Sequence, residues 1–201
     1  MFLKPKHAST HMTPESPAIS PHDFAAGAMV GRFRLLALAG AGGMGKVWKA
    51  EDPTLGRAVA LKFLPESHAD SPIARRRFLR EARAAGRLSH PSIAQVFEAG
   101  ETDGRLFIAI EWVEGETLAD LVARGPLGIP DALRIARDVA LALAHAHQRG
   151  VLHRDVSARN IMVARDGRVM LLDFGLALPE GASRITSTAS GFSVPGSRPA
   201  E

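Results

Sequence analysis

His153-Arg154-Asp155-Val156-Ser157-Ala158-Arg159-Asn160 is followed, after two short apolar runs, by Asp173-Phe174-Gly175. An acid, an amide five residues further on and a second acid on a later turn suit phosphoryl transfer from a magnesium nucleotide. In that chemistry the protein's work is positioning and charge neutralisation. Asp155 is placed to accept a proton from an attacking hydroxyl. Asn160 and Asp173 are placed to hold Mg2+, a hard cation that takes oxygen ligands. Asp155 or Asn160 alone reads equally well as a turn residue; the whole ordered set does not.

Upstream, Gly40-Ala41-Gly42-Gly43-Met44-Gly45-Lys46-Val47 is rich enough in glycine to bring backbone amides close to a phosphate. It fits three templates. As a P-loop it lacks the hydroxyl that magnesium needs, because Val47 holds that position. As a dinucleotide fingerprint it should open a helix, but Val47-Trp48-Lys49-Ala50 and the turn Asp52-Pro53 follow. It therefore joins two antiparallel strands, either as a hairpin folded over phosphates with Val47 as a lid on the base, or as a plain flexible hairpin.

All five lysines lie at or before position 62, while arginine serves as the cation elsewhere. A lysine kept inside the apolar run Ala58-Val59-Ala60-Leu61-Lys62 points to a need for a compact ammonium. Strand alternation puts Lys62 on the same face as Ala60, a residue small enough for an adenine to lie beneath. A buried ammonium needs a carboxylate, and Glu81 on the next helix is the candidate, with Arg77 one turn earlier competing for it.

The 201 residues include 13 prolines, no cysteine and a net charge of +4. That length suits one sizeable domain or two small lobes, and the lack of cysteine excludes disulfides and thiolate metal sites. No signal-type apolar core opens the chain and its apolar stretches are short, so a cytoplasmic location is expected. Arg75, Arg76, Arg77, Arg80, Arg83 and Arg87 crowd one helix. They read as a solvated face, since no aromatic interleaving or nucleic-acid motif accompanies them.

Residues 1–29 mix proline with Ser, Thr and His and read as a disordered leader. Short strands are expected over 32–39, 46–50, 58–63, 93–100 and 106–111. Ser71-Pro72 caps a helix expected to reach 88. A short helix over 118–124 precedes a long one over 130–149, in which Ile135, Val139 and Leu143 repeat and Gly150 stands at the cap. Two small strands, 161–163 and 169–171, bracket Asp166-Gly167.

With these motifs assembled, residues 31–178 resemble the bacterial Hanks-type (eukaryotic-like) serine/threonine protein kinases. The likeness extends to His90-Pro91-Ser92-Ile93 and to Ile110-Glu111-Trp112-Val113-Glu114-Gly115, which is similar to the hinge. It implies an α+β, bilobal fold: an antiparallel sheet with one helix in an N-lobe with hinge (30–113), and a helical C-lobe, here partial (114–178). It implies Mg2+ and ATP as cofactors and a protein with a Ser/Thr acceptor as partner. By the same likeness Asp155 is the base, with Lys62, Glu81 and Asn160 as catalytic partners, and Asn160 and Asp173 hold the metal. Nucleotide contacts fall to Ala39, the run from Gly40 to Val47, Ala60, Lys62, and the backbones of Glu111 and Val113, with Ile110 as gatekeeper. Arg154 would read a phosphate in the activation segment.

The chain also departs from that pattern. Ser157 stands where serine/threonine kinases usually place lysine, and Ala158-Arg159-Asn160 resembles the tyrosine-kinase loop, although the chain contains no tyrosine. Ala39 replaces a larger aliphatic residue. The tail 179–201, with Thr186, Ser187 and Thr188, resembles an activation segment and is expected to be disordered. It ends in Pro199-Ala200-Glu201 where the family continues into further helices. The expectation is a chain truncated there, as a fragment or frame-shifted copy, with an incomplete C-lobe open to a partner. Two readings follow: a protein serine/threonine kinase, or a catalytically inactive nucleotide-binding or regulatory fragment. No nucleic-acid partner and no membrane segment are expected.

Overall fold

Two antiparallel sheets and three helices organise residues 24–42 and 45–174, which the computed structural model describes. The first sheet takes β1 (Met29–Val30), β2 (Phe33–Gly42), β3 (Gly45–Asp52), β4 (Arg57–Phe63), β5 (Val96–Thr102) and β6 (Arg105–Glu111) in the order β1-β2-β3-β4-β6-β5. Its hairpins follow from local chemistry. Asp103 and Gly104 join β5 to β6 with φ of 49° and 75°, the left-handed pair that matches strand twist. Asp52 closes the β3–β4 turn by accepting the Thr54 and Leu55 amides at 3.2 and 3.3 Å.

Alternation gives the sheet two apolar faces. In β3, Trp48, Ala50 and Asp52 are buried while Val47, Lys49 and Glu51 are only half-buried. The first face gathers Val30, Phe33, Leu35, Trp48, Leu61, Phe63 and Phe107, with the Phe33 and Phe107 rings edge-on at 6.0 Å. Each such fully buried side chain contributes roughly 1.5–3 kcal/mol. Phe24 stacks on Phe63 at 4.9 Å and Ala28 packs beside it, so the end of the stretch assigned to the leader lies against this sheet. Residues 1–23 and the tail expectations over 175–201 lie outside the described residues.

The second face receives α1 (Pro72–Ala85) through Phe78 and Ala82. Ser71 caps it, its Oγ accepting the Ala74 amide at 3.2 Å. The helix stops at Ala85, short of the expected 88. Its exit tightens into i→i+3 turns, with the Arg87 amide on Ala84 O and the Leu88 amide on Ala85 O. Leu88 stays buried nonetheless. Arg75 bonds Gly104 O at 2.9 Å and pairs with Glu101 at 2.7 Å, while Arg76, Arg80, Arg83 and Arg87 are exposed, as a solvated face requires.

The second lobe holds α2 (Leu118–Ala123), α3 (Ile129–His147) and the sheet β7 (Gly115–Thr117), β8 (Ile161–Ala164) and β9 (Val169–Leu171). α3 ends two residues before the expected 149, and Gly150 follows in the left-handed region at φ 71°. It buries Ile135, Val139, Ala142 and Ala146, with Leu143 packed alongside. Its opposite side leaves Ile129, Leu133 and Leu141 at 77%, 65% and 53% exposure. Leu171 knits the lobes together, pairing with Ile93 while its N–H donates to Ser92 O at 2.9 Å and its carbonyl accepts the Ala94 amide at 3.1 Å. Among the described residues no helix is long and apolar enough to cross a membrane.

Candidate functional site

β4 pairs with β6 so that Ala60 faces Ile110 and Lys62 faces Ile108. Lys62 is buried to 2% exposure, and its Nζ lies 2.8 Å from Asp173 Oδ2. Glu81, the carboxylate expected to meet it, is engaged elsewhere. Its Oε1 accepts Arg77 Nε at 3.0 Å and Arg154 Nη1 at 2.7 Å, while Oε2 is buried without a hydrogen-bond partner. The competitor one helical turn away has thus taken part of Glu81. The rest goes to Arg154, which is held at φ 67° and so turned toward α1. Asp173, at φ 58°, supplies the carboxylate that a buried ammonium requires. Arg154 and Asp173 are two of only three non-glycine residues at positive φ among those described, a clustering of backbone strain typical of functional sites.

The loop between α3 and β8 is fixed by His153, buried to 1% exposure. Its Nδ1 accepts the Asp155 amide at 3.3 Å, so Nε2 carries the proton and donates to Leu172 O at 2.7 Å. Burial holds the His153 pKa below the ordinary histidine value. The Phe174 ring meets the imidazole edge-on at 4.7 Å. Asn160 closes the loop: its Nδ2 donates to Asp155 O at 2.8 Å and to Asp155 Oδ2 at 2.9 Å, and its carbonyl accepts the Leu172 amide at 2.8 Å. Both amide hydrogens are used, which leaves Oδ1 as the side chain's outward donor atom. A carbonyl oxygen from Asn160 and a carboxylate from Asp173, on segments bonded to one another, form an oxygen donor set of the hardness Mg2+ takes. No cluster of three or more His, Cys, Asp or Glu side chains competes with it among the described residues.

Above these groups lies a cavity of about 270 Å³. Val47, Ala60 and Ile110 wall it from the first lobe, Glu111, Trp112, Val113, Glu114 and Gly115 run along its edge, Met162 and Leu172 floor it, and Lys62 and Asp173 close its inner end. Of the residues expected to touch a nucleotide, Val47, Ala60, Lys62, Glu111 and Val113 line this space and Ala39 does not. Gly40, Ala41, Gly42, Gly45 and Lys46 lie in the β2–β3 hairpin, and Gly43 and Met44 lie outside the described residues. A second cavity of about 310 Å³ opens at the hairpin tip between Gly42, Gly45 and Pro65, away from Lys62 and Asp173. Sequence reasoning missed the floor. Met162 two residues after Asn160 and Leu172 just before Asp173 were the available signals, since short strands beside polar ligands present alternate side chains to the same space.

A sheet-and-helix lobe and a helical lobe, with an apolar cleft ending in a lysine–aspartate pair between them, define the bilobal α+β class of protein-kinase-like folds. Residues 33–191 match the protein kinase domain family, and the chain belongs to that family, on the bacterial Hanks-type serine/threonine branch. It is 41% identical over 161 residues to serine/threonine-protein kinase PrkC of Bacillus subtilis, covering 80% of this chain and 25% of the relative. Identity to serine/threonine-protein kinase PknE of Mycobacterium tuberculosis is 42% over 161 residues, covering 80% and 28%. Among solved structures, the PknI kinase domain of Mycobacterium tuberculosis superposes with a TM-score of 0.69 at 38% identity, covering 77% of this chain and 62% of that one. The chain thus spans about a quarter of the curated relatives it matches and under two thirds of that solved kinase domain.

Proposed function

We propose that the chain binds ATP with Mg2+ in the 270 Å³ cleft and transfers the γ-phosphoryl group to a Ser or Thr hydroxyl of a protein. What carries this reading is the pairing of buried Lys62 with Asp173 at 2.8 Å, at the inner end of an apolar cleft large enough to hold an adenine. The backbones of Glu111 and Val113 offer the base its polar contacts, and Ala60 and Val47 lie over it. Lys62 neutralises phosphate charge. Asn160 Oδ1 and Asp173 would hold Mg2+, which would supply neutralisation of phosphate charge. Asp155, oriented by Asn160, takes the hydroxyl proton as the acceptor oxygen bonds to phosphorus and the bond to the bridging oxygen of the departing ADP breaks. The substrates fit a family whose relatives carry serine/threonine kinase in their names.

One observation favours a second reading, nucleotide binding without turnover: Glu81 is paired with Arg154 and Arg77 rather than with Lys62. A direct experiment separates the two. ATP should bind only with a divalent cation, and Lys62→Met or Asp173→Asn should weaken binding at least about tenfold, since the first removes the phosphate's ammonium and the second the metal's carboxylate. Asp155→Asn should leave binding intact and remove transfer. Unchanged titrations in the first two variants overturn the nucleotide reading, and transfer no faster than in Asp155→Asn selects the binding-only alternative.

A further inference from the structure

Lys49 lies two residues beyond Val47 on the same face of β3, opposite Ala60. Its side chain crosses from the strand that returns from the glycine hairpin to the hinge. Its Nζ sits 2.6 Å from Glu114 Oε1 and 4.9 Å from the centre of the Trp112 ring. Trp112 Nε1 donates to the same Glu114 oxygen at 2.7 Å. Trp112 and Glu114 both line the outer edge of the cleft, whereas Lys62 and Asp173 close its inner end.

We infer that Lys49, Trp112 and Glu114 form a clip across the mouth of the cleft that governs how fast a nucleotide leaves it. The inference rests on the nucleotide reading above and adds a control of residence time to it. A lone exposed ion pair contributes little. This one is held at both ends: the Glu114 carbonyl accepts the Arg165 amide at 2.9 Å, and neighbouring Gly115 pairs with Ala164 on β8, so the backbone that carries the carboxylate is fixed to the second lobe's sheet. Lys49 is anchored on the ladder between β2 and β4. One oxygen receives both an ammonium and an indole N–H, and the ammonium also rests over the indole face, so the three groups fix one another's rotamers. For a base to leave past Trp112, the hairpin strand must rise and Lys49 must part from Glu114. The clip is therefore broken on exit rather than during transfer, and its loss shows in dissociation rate and KM while leaving kcat unreduced.

The test follows dissociation of a fluorescent ATP analogue, with Mg2+, from the wild-type chain and from Lys49→Met, Glu114→Ala and Lys49→Arg, with Lys62→Met as the binding control. Lys49→Met and Glu114→Ala should dissociate about three- to tenfold faster with association within about twofold, and Lys49→Arg, which keeps charge and stacking, should match wild type. Salt near 1 M should speed the wild type toward the single variants. Wild-type dissociation rates in Lys49→Met and Glu114→Ala, with Lys62→Met still defective, overturn the clip and spare the nucleotide reading. A Lys49→Arg variant as fast as Lys49→Met also overturns it. No binding by the wild-type chain overturns both.

Discussion

His153 shows how much a single buried side chain organises here. One ring nitrogen holds the backbone of Asp155 and the other holds Leu172, so the imidazole joins the segment of the proposed base to the segment of the proposed metal ligand. Its pKa is lowered by burial, so the folded state keeps it neutral while the unfolded chain takes up a proton near the ordinary value. The unfolded state then binds more protons between those two values, and stability must fall as pH drops through the unfolded value of about 6.5. His145 is lowered in the same sense by burial, Arg149 and His90 and adds to the slope. We expect the melting temperature to decline from pH 7.5 to pH 5.5, and a His153→Phe variant, less stable at neutral pH, to show a shallower decline. An equal slope in the variant would show that His153 is not the sensor. The motif His153-Arg154-Asp155 was plain in the sequence. The hydrogen-bonding roles of the two ring nitrogens were not, because they depend on a backbone carbonyl nineteen residues away.

At the scale of elements, the β3–β4 turn carries more than its Asp52-Pro53 signal announced. Asp52 is fully buried and holds Arg32 at 3.3 Å and Arg57 at 3.8 Å besides two backbone amides. It ties β2, β3 and β4 together at the end away from the glycine hairpin. Asp52→Ala should cost about 1–3 kcal/mol, because it removes a buried acceptor from two turn amides, while the partly exposed Arg32 and Arg57 can turn to water. Denaturant unfolding of the variant checks this, and a loss below about 1 kcal/mol would mean that water replaces the carboxylate. Strand positions, the Ser71 cap and the β8–β9 hairpin were legible because each is written in nearby residues. The end of α1 and the partner of Lys62 were not. Arg87 and Leu88 continue the helical pattern beyond Ala85, yet the chain tightens from Gly86 onward and leads to Ile93, which pairs with Leu171. Likewise Glu81 was the carboxylate the sequence offered Lys62, and Asp173 takes that place because Arg154, whose backbone conformation no composition encodes, engages Glu81.

At the scale of the whole molecule, the described residues of the second lobe leave large apolar side chains uncovered. Leu133 and Leu141 on α3, together with Leu152 and Val156 on the following loop, are half or more exposed. An apolar row of this kind favours self-association or a covering partner. Leu133→Glu combined with Leu141→Glu should therefore change unfolding free energy by no more than about 0.5 kcal/mol per site. The same variant should lower the sedimenting mass at high concentration. A strongly destabilised double variant would mean that these side chains are packed within the chain itself. Which row would be covered was decided by Ala142 and Ala146, whose small size lets α3 approach the Ile161 and Leu171 strands closely.

Lys62 has a last consequence in chemical labelling. It is the final lysine in the sequence, and it is almost wholly shielded from solvent. Reagents that acylate amines therefore meet no lysine beyond it, and in the folded protein they meet it only from within the cleft. An amine-directed acyl phosphate carried on a nucleotide would mark one internal peptide, with Lys46 and Lys49 as the neighbouring amines. A protease that cuts only after lysine would release everything beyond residue 62 as a single piece, and only once the first lobe had opened. The chain's preference for arginine has thus left its proposed phosphate-binding ammonium chemically isolated.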